Sequence, residues 1–507
     1  MSLSERSTRP SAMQTTLASN RLGVPAVVIF TMSAATPLTV VAGVVTTGFA
    51  VTGILGIPLA FVLIGVVLAL FSVGYVAMAR HIANAGAFYA YVANGLGKPA
   101  GVGAAWVALL AYNALQVGLY GAIGAAAGPL LDQWFGIDVA WWVVALCAWA
   151  LVAALGVLRV DVNGRVLALL LVTEIAVIMV FNVAELLHPA GGHLTFDSLS
   201  PGNLFTPGVG ALLALAVLGF VGFEGAAVFS EESRDPRRTV PIATYTSVAL
   251  IAVLYALSSW AMTVATGPDQ VVAQSQQQQT ELIFNLAGAH LGGTVVDVGH
   301  ALFLTSILAA MISFHNTTAR YMFALGRERV LPAAFGRTAR TGAPHIGSIT
   351  QSVIGLVVIL TYAMAGWDPL VQLFFWLGTG GGFGVLLLIT TTSIAALVFF
   401  ARRQHDESAW ASVVAPSLAT LALLVVVTLA FVNFADLLGV APDSPLRWAI
   451  PGSFVVVAVG GVIRALMLRS ANPEVYATIG MGARAATGLA HQPAALTAGN
   501  AAGIGGA

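Results

Sequence analysis

Residues 214–241 read ALAVLGFVGFEGAAVFSEESRDPRRTVP. The segment starts as an apolar helix. At Gly219-Phe220-Val221-Gly222-Phe223 it carries two glycines within five residues. Each costs a helix interior about 1 kcal/mol relative to alanine, so the helix is expected to unwind there. Glu224 follows at once, and a charged edge from Glu231 to Arg238 closes the segment. A helix that breaks beside a carboxylate inside an apolar run is a way to build a polar site in lipid.

The surrounding chain is that kind of solvent-averse polymer. Of its 507 residues 58% are hydrophobic and only 8% charged, against about 25% charged in a soluble domain. Runs of about 20 apolar residues, enough to span a bilayer, recur from residue 24 to residue 470. About twelve spans are predicted, near 24–49, 53–79, 99–129, 139–158, 164–187, 208–232, 241–266, 292–325, 347–366, 369–401, 410–435 and 447–470. With residues 1–22 read as a cytoplasmic tail, this count places 20 of the 21 basic residues on the inner side and Arg447 alone outside. A miscounted span would scramble that asymmetry, so the positive-inside rule supports both count and orientation. Both termini are thus expected in the cytoplasm of a bacterial inner membrane. The outer loops carry carboxylates, Glu185 and Asp197 among them. The tract around Gln274 and Gln276–Gln279 reads as a solvated linker, and residues 471–507 as a disordered tail.

The first span has its own interruption. Pro37 sits inside VVIFTMSAATPLTVVAGVV, where it removes a backbone donor and clashes with the carbonyl four residues earlier. Thr36-Pro37 also reads as an N-cap followed by proline at the first helical position. One helix is therefore expected to end near Ser33 and another to start at Thr36; an ordinary proline kink is the plainer alternative. The second break, in the sixth span, tips the balance. First and sixth are corresponding positions if spans one to five and six to ten are repeats, and an odd repeat length inverts the second copy.

GFVGFEGAAVFSEESRDPRRTVP resembles the sixth-span signature of the amino acid–polyamine–organocation superfamily of permeases. SFHNTTARYMFALGRERVLP (313–332) is similar to its eighth span, and FSVGYVAMARHIANAGAFYAYVANGLG (71–97) to its second-to-third span region. The resemblance implies an all-α LeuT-like fold of five plus five inverted repeats with two extra helices. The transporter domain would run over 23–470, with repeats at about 24–187 and 208–401 and the extra helices at 410–470. It implies secondary transport of amino acids or related amines. Many members carry a Gly-Ser-Gly-like break in span one; here it is Ser33-Ala34-Ala35-Thr36-Pro37.

A zwitterion matches the dipole ends of broken helices. Carbonyls near Phe30, Thr31, Met32 and Ser33, and near Gly219, Phe220 and Val221, are candidate acceptors for an ammonium. Free amides from Thr36 through Leu38 and Thr39 are candidates for a carboxylate. With Ala34, Ala35, Gly222 and Phe223 these complete the candidate substrate site. Phe220, by resemblance, and Trp376 are candidate gates, with ordinary packing the alternative for both. Two carboxylates lie within spans, where a charge costs about 2.5–3.5 kcal/mol on insertion scales. Glu224 is expected to cap the new half-helix or exchange a proton. Glu174 stands in span five, where relatives can carry a lysine in place of sodium, and is a candidate proton carrier. Ser313 and Thr317 are weaker candidates for sodium, ranked below proton coupling or exchange.

The sequence offers no phosphate loop, nucleophile motif or metal-ligand cluster, and its histidines are widely scattered. The expectation is no enzyme, no cofactor, no metal and no nucleic-acid partner. An amino-acid-binding membrane sensor without turnover and a sodium-coupled symporter remain the alternatives.

Overall fold

The computed structural model describes residues 21–82, 84–157, 160–339 and 342–482, with backbone alone for 160–164 and 166. The first twenty residues and those from 483 onward, with the tail readings attached to them, lie outside the described residues.

Among the described residues the chain is helical throughout, and eleven helices are long and apolar enough to cross a membrane. They are Val24–Thr52, Ile57–His81, Lys98–Phe135, Leu167–Leu187, Val209–Val228, Pro236–Thr266, Gly293–Arg327, His345–Ala365, Pro369–Arg402, Trp410–Val432 and Leu446–Ala471. The expected fourth span is the apolar helix Trp141–Gly156. At 1.5 Å per residue its 16 residues reach about 24 Å, short of a hydrocarbon core of about 30 Å. The order of the twelve expected runs is otherwise kept.

The third span is the post of the bundle: the eighth, tenth and twelfth pack along it. Small residues allow this. A Cβ on Gly121 would lie 2.2 Å from the Pro369 carbonyl oxygen, and one on Gly381 2.6 Å from Leu115, the close approach that association within lipid requires. The first span lies against the fifth, seventh and eighth, which surrounds its break with other helices instead of lipid.

Three expectations need correction. The glutamine tract is no linker: Val271–Gln278 and Leu282–Leu291 are helices that bury Val271, Ser275, Leu282, Ile283 and Phe284. Gln276 donates to the Ala50 carbonyl at 2.9 Å, holding the tract on the end of the first span. Its apolar residues on one face supplied the reason, and the run of glutamines hid it. The tail does not turn structureless at 471 either. Pro473–Thr478 is helical, and residues 478–480 are buried. The Gly480 and Gly482 amides donate to the Glu328 carboxylate at 2.6 and 2.7 Å, beside Asn84 at 3.0 Å and Tyr89. Burial pushes the Glu328 carboxyl above the usual carboxylate range against the pull of these donors. Finally, Glu185 is not in an outer loop: it lies in the fifth span, 1% exposed, and neither oxygen has a hydrogen-bond partner among the described residues.

Candidate functional site

Both interruptions are present, and they touch. The first helix segment ends at Ala35, Thr36 takes φ 45°, ψ 67°, and a new segment starts at Pro37. The break falls two residues later than expected and is one residue wide. A β-branched residue in the left-handed region is strained. Proline at 37 removes the amide that the Ser33 carbonyl would otherwise receive, and the Ser33 hydroxyl also has no partner among the described residues.

The sixth-span helix stops at Phe220, and Gly222 takes φ 120°. A Cβ at Gly222 would lie 2.6 Å from Ala34 Cβ and 2.9 Å from the Ala35 amide nitrogen. Only glycine fits both the dihedral and the contact. Phe223 N bonds Phe220 O at 3.2 Å and Gly225 N bonds Gly222 O at 3.0 Å. These tight turns leave the Gly219 and Val221 carbonyls without an amide from the described residues of the break.

Glu224 and Glu174, the two carboxylates expected within spans, each attend one break. Glu224 accepts from the Gly222 amide at 2.9 Å and from the Tyr112 hydroxyl at 2.7 Å, while Tyr75 donates to its main-chain carbonyl at 2.8 Å. It does cap an orphan amide, but one two residues behind it; its side chain makes no bond to the first turn of Gly225–Val228. Glu174, from the fifth span, accepts from the Leu38 amide and from Ser306 at 2.7 Å, and Ser306 in turn receives Thr39 Oγ1 at 3.0 Å. The Leu38 amide, expected to be free, is therefore occupied. A buried carboxylate needs donors, and a helix N-terminus supplies them with a favourable dipole. Tyr255 closes the other side of the first break by donating to the Ala35 carbonyl at 2.7 Å.

A cavity of about 70 Å³ opens between the breaks, room for about two waters at liquid density. It touches Ala34, Ala35, Thr36, Thr39 and Val221 of the two breaks. The rest of its wall is Val40, Val44, Leu115, Leu119, Leu215, Leu218, Phe314, Phe374 and Phe375, with Gly43 and Gly378, the hydroxyls of Thr47 and Thr379 and no charged side chain. Thr379 Oγ1 is buried and unpartnered. Two wider cavities share Thr39, Gly43, Thr47, Phe374 and Phe375 with it and continue past Gln276, Gln279 and Glu281. The cavity thus leads toward the face that carries the glutamine helix.

Toward the arginine-rich face the way is shut. Phe30 stacks on Phe229 at 4.7 Å, and Arg320 lies over Phe229 at 4.9 Å. Arg320 and Glu232, 2% and 1% exposed, pair through contacts of 2.6 and 3.0 Å. Arg327 binds Glu231 through two more. Leu22 and Arg234 are joined main chain to main chain, and the Arg21 and Leu22 amides both reach the Glu232 carbonyl.

Other expected site residues fall elsewhere. Phe220 is fully buried with its ring 6.2 Å from Phe61, and Phe223 packs edge-on to Phe71. Neither lines the cavity, and Trp376 does not either; its indole nitrogen is buried without a partner among the described residues. Thr31 bonds Ser247 at 2.6 Å, and Met32 is buried in the core. Ser313 Oγ and Asn316 Nδ2 have no partner among the described residues, and Thr317 is 6% exposed. The described residues hold no cluster of three acidic, histidine or cysteine side chains. Missed from the sequence were Leu115, Leu119, Phe314, Phe374, Phe375 and Thr379. They come from the third, eighth and tenth spans, and no local pattern marks which helix face meets a break.

Paired breaks around a cavity inside a bundle of apolar helices are the architecture of a membrane permease. A profile of the amino acid permease family matches residues 22–460, and the chain belongs to that family. It is 25% identical to the lysine-specific permease LysP of Lactococcus lactis subsp. cremoris, over 61% of this chain and 63% of that one. It is also 25% identical to the low-affinity putrescine importer PlaP of Escherichia coli, over 62% and 70%, and to the histidine permease HisP of Lactococcus lactis, over 60% and 65%.

Proposed function

We propose that this chain is a secondary transporter of amino acids, working by alternating access across a bacterial cytoplasmic membrane with its arginine-rich face inside. The observation that carries this reading is the seating of Gly222 against Ala34 and Ala35, which brings two helix breaks to one cavity. An ammonium would meet the Ser33, Gly219 and Val221 carbonyls. The two inverted repeats, about 24–187 and 208–401, would rock around that point.

The wall favours a substrate whose side chain is uncharged and apolar. Leucine, valine and phenylalanine side chains dominate it and no carboxylate is available for a cationic tail. The relatives named for lysine and putrescine act on amines that carry such charge. An uncompensated ammonium in this wall would cost several kcal/mol.

Glu174 supports proton coupling. It holds the Leu38 amide, the same donor a substrate carboxylate would use. Protonation of Glu174 removes its charge and weakens its hold on that amide, so a substrate carboxylate competes for it better once the proton is bound. Ser313 and Thr317 lack such a link to the break, and sodium ranks below. Phe374 and Phe375 stand between the cavity and the outer vestibule, a better position for a gate than Phe220 or Trp376.

The test is uptake into proteoliposomes under an imposed pH gradient. Radiolabelled leucine, valine or alanine should accumulate, with no response to sodium and no competition from lysine or putrescine. Binding without counterflow would replace the transporter with a sensor. Preferred accumulation of lysine or putrescine would overturn the substrate class and leave the permease standing.

A further inference from the structure

The arginine-rich face carries a second concavity that shares no residue with the cavity between the breaks. It lies between the end of the second span, the start of the third and seventh, and the docked segment 477–481. Arg80, Lys98, Arg234, Arg237 and Arg403 line it, with Asp235 as the one carboxylate in the wall. Arg80 is already engaged, paired with Glu407 at 2.9 Å. The other four make no ion pair within the described residues. Arg403 rests on the Phe399 ring at 4.5 Å and reaches Asn94 at 3.4 Å; Lys98 holds the Ala477 carbonyl at 2.7 Å. Positive charge at an inner membrane face orients a protein wherever it sits. Orientation alone does not require four unpaired cations from three separate stretches of chain to converge on one hollow.

We propose that this hollow binds a phosphate-bearing anion. Guanidinium groups bind phosphate oxygens in forked pairs, and a group carrying two or more charges would neutralise the excess that Asp235 leaves. The C-terminal segment is part of the wall through Ala477, Ile479, Gly480 and Met481. The same segment caps Glu328 through Gly480 and Gly482, at the foot of the eighth span beside the Arg327–Glu231 pair. A bound phosphate therefore ties the segment down over the closed face and favours the conformation described above. The phosphate can be that of an anionic lipid headgroup or of a soluble phosphate ester, because the contacts are the same.

The experiment uses the full chain in nanodiscs and reads thermal unfolding. In neutral phosphatidylcholine, inorganic pyrophosphate at matched ionic strength should raise the melting midpoint by about 2–4 °C over sodium chloride. If the source is lipid, discs with phosphatidylglycerol give that shift and pyrophosphate in neutral discs does not. Either response must fall to about a third or less in Arg234→Gln/Arg237→Gln and persist in Arg469→Gln, which lies outside the hollow. Hydrogen exchange at 473–482 should slow with the same ligand. No shift with either phosphate source overturns the proposal, and so does an equal shift in the double variant. A gain in protection confined to distant helices overturns the placement.

Discussion

The two helix breaks solve one problem in opposite ways. In the sixth span the carboxylate comes from the break itself: Glu224 bends back to the Gly222 amide two residues away. In the first span it comes from another helix: Glu174 reaches the Leu38 amide across the bundle, with Ser306 of the eighth span as its second donor. Lipid offers no water to an orphan amide, so each break must be satisfied from within the protein. A cap within the segment travels with its helix and survives any tilt of it. A cap from a neighbour is broken when the helices part. The sixth-span break is therefore built as a fixed element, and the first-span break as one that can change partner.

That contrast can be broken most directly at the contact between the breaks. Gly222→Val places a Cβ 2.6 Å from Ala34 at φ 120°, and should reduce uptake to background while the protein still inserts. Retained uptake would sink the shared site. Next come the carboxylates. Glu224→Ala strands the buried Gly222 amide and the Tyr112 hydroxyl and should lower stability by about 1–3 kcal/mol, read by thermal unfolding. Glu174→Gln keeps the shape and should change transport more than stability. Uptake should lose its dependence on external pH, and a wild-type profile rules the proton role out. A smaller, steric effect is expected from Leu218→Phe, which narrows the cavity and should favour alanine over leucine by about tenfold in competition, one methylene being worth about 1–3 kcal/mol.

The smallest effect lies away from the breaks, at Glu328. Its carboxyl is raised above the usual range by burial. In the window between its ordinary and its raised value the folded chain binds more protons than the unfolded one. Stability contributed there is full at low pH and falls as pH rises through the window. Glu328→Gln should flatten that part of the melting-versus-pH curve. Parallel curves for the two proteins would mean the carboxyl titrates as it does in the unfolded chain.

Local rules made the breaks legible. Thr36-Pro37 and Gly219 to Gly222 are departures from helix chemistry that any reader of propensities finds, and the structure moves the first by only two residues. The helices themselves announced their order through hydropathy alone. Placement of Phe220 failed because an aromatic beside a break can point to either side, and Phe61 on the second span captured it. The docking of 478–482 on Glu328 was hidden because glycine-rich sequence reads as unstructured, whereas here its bare amides are the ligands. His188 and His290, 102 positions apart in sequence, stack with ring centres 3.7 Å apart; spacing along a chain cannot show such a meeting.

The amino-acid order by itself determined that this chain lives in lipid, how its helices succeed one another and where two of them must fail. These follow from the cost of apolar surface in water and from the covalent limits of proline and glycine, which act within a few residues. Only the tertiary structure decided that the two failures face each other, that Glu174 and not a free carboxylate holds Leu38, and that the cavity wall is apolar. Those outcomes depend on which faces of distant helices meet, and in a bundle where nearly every face is apolar, packing chooses among them.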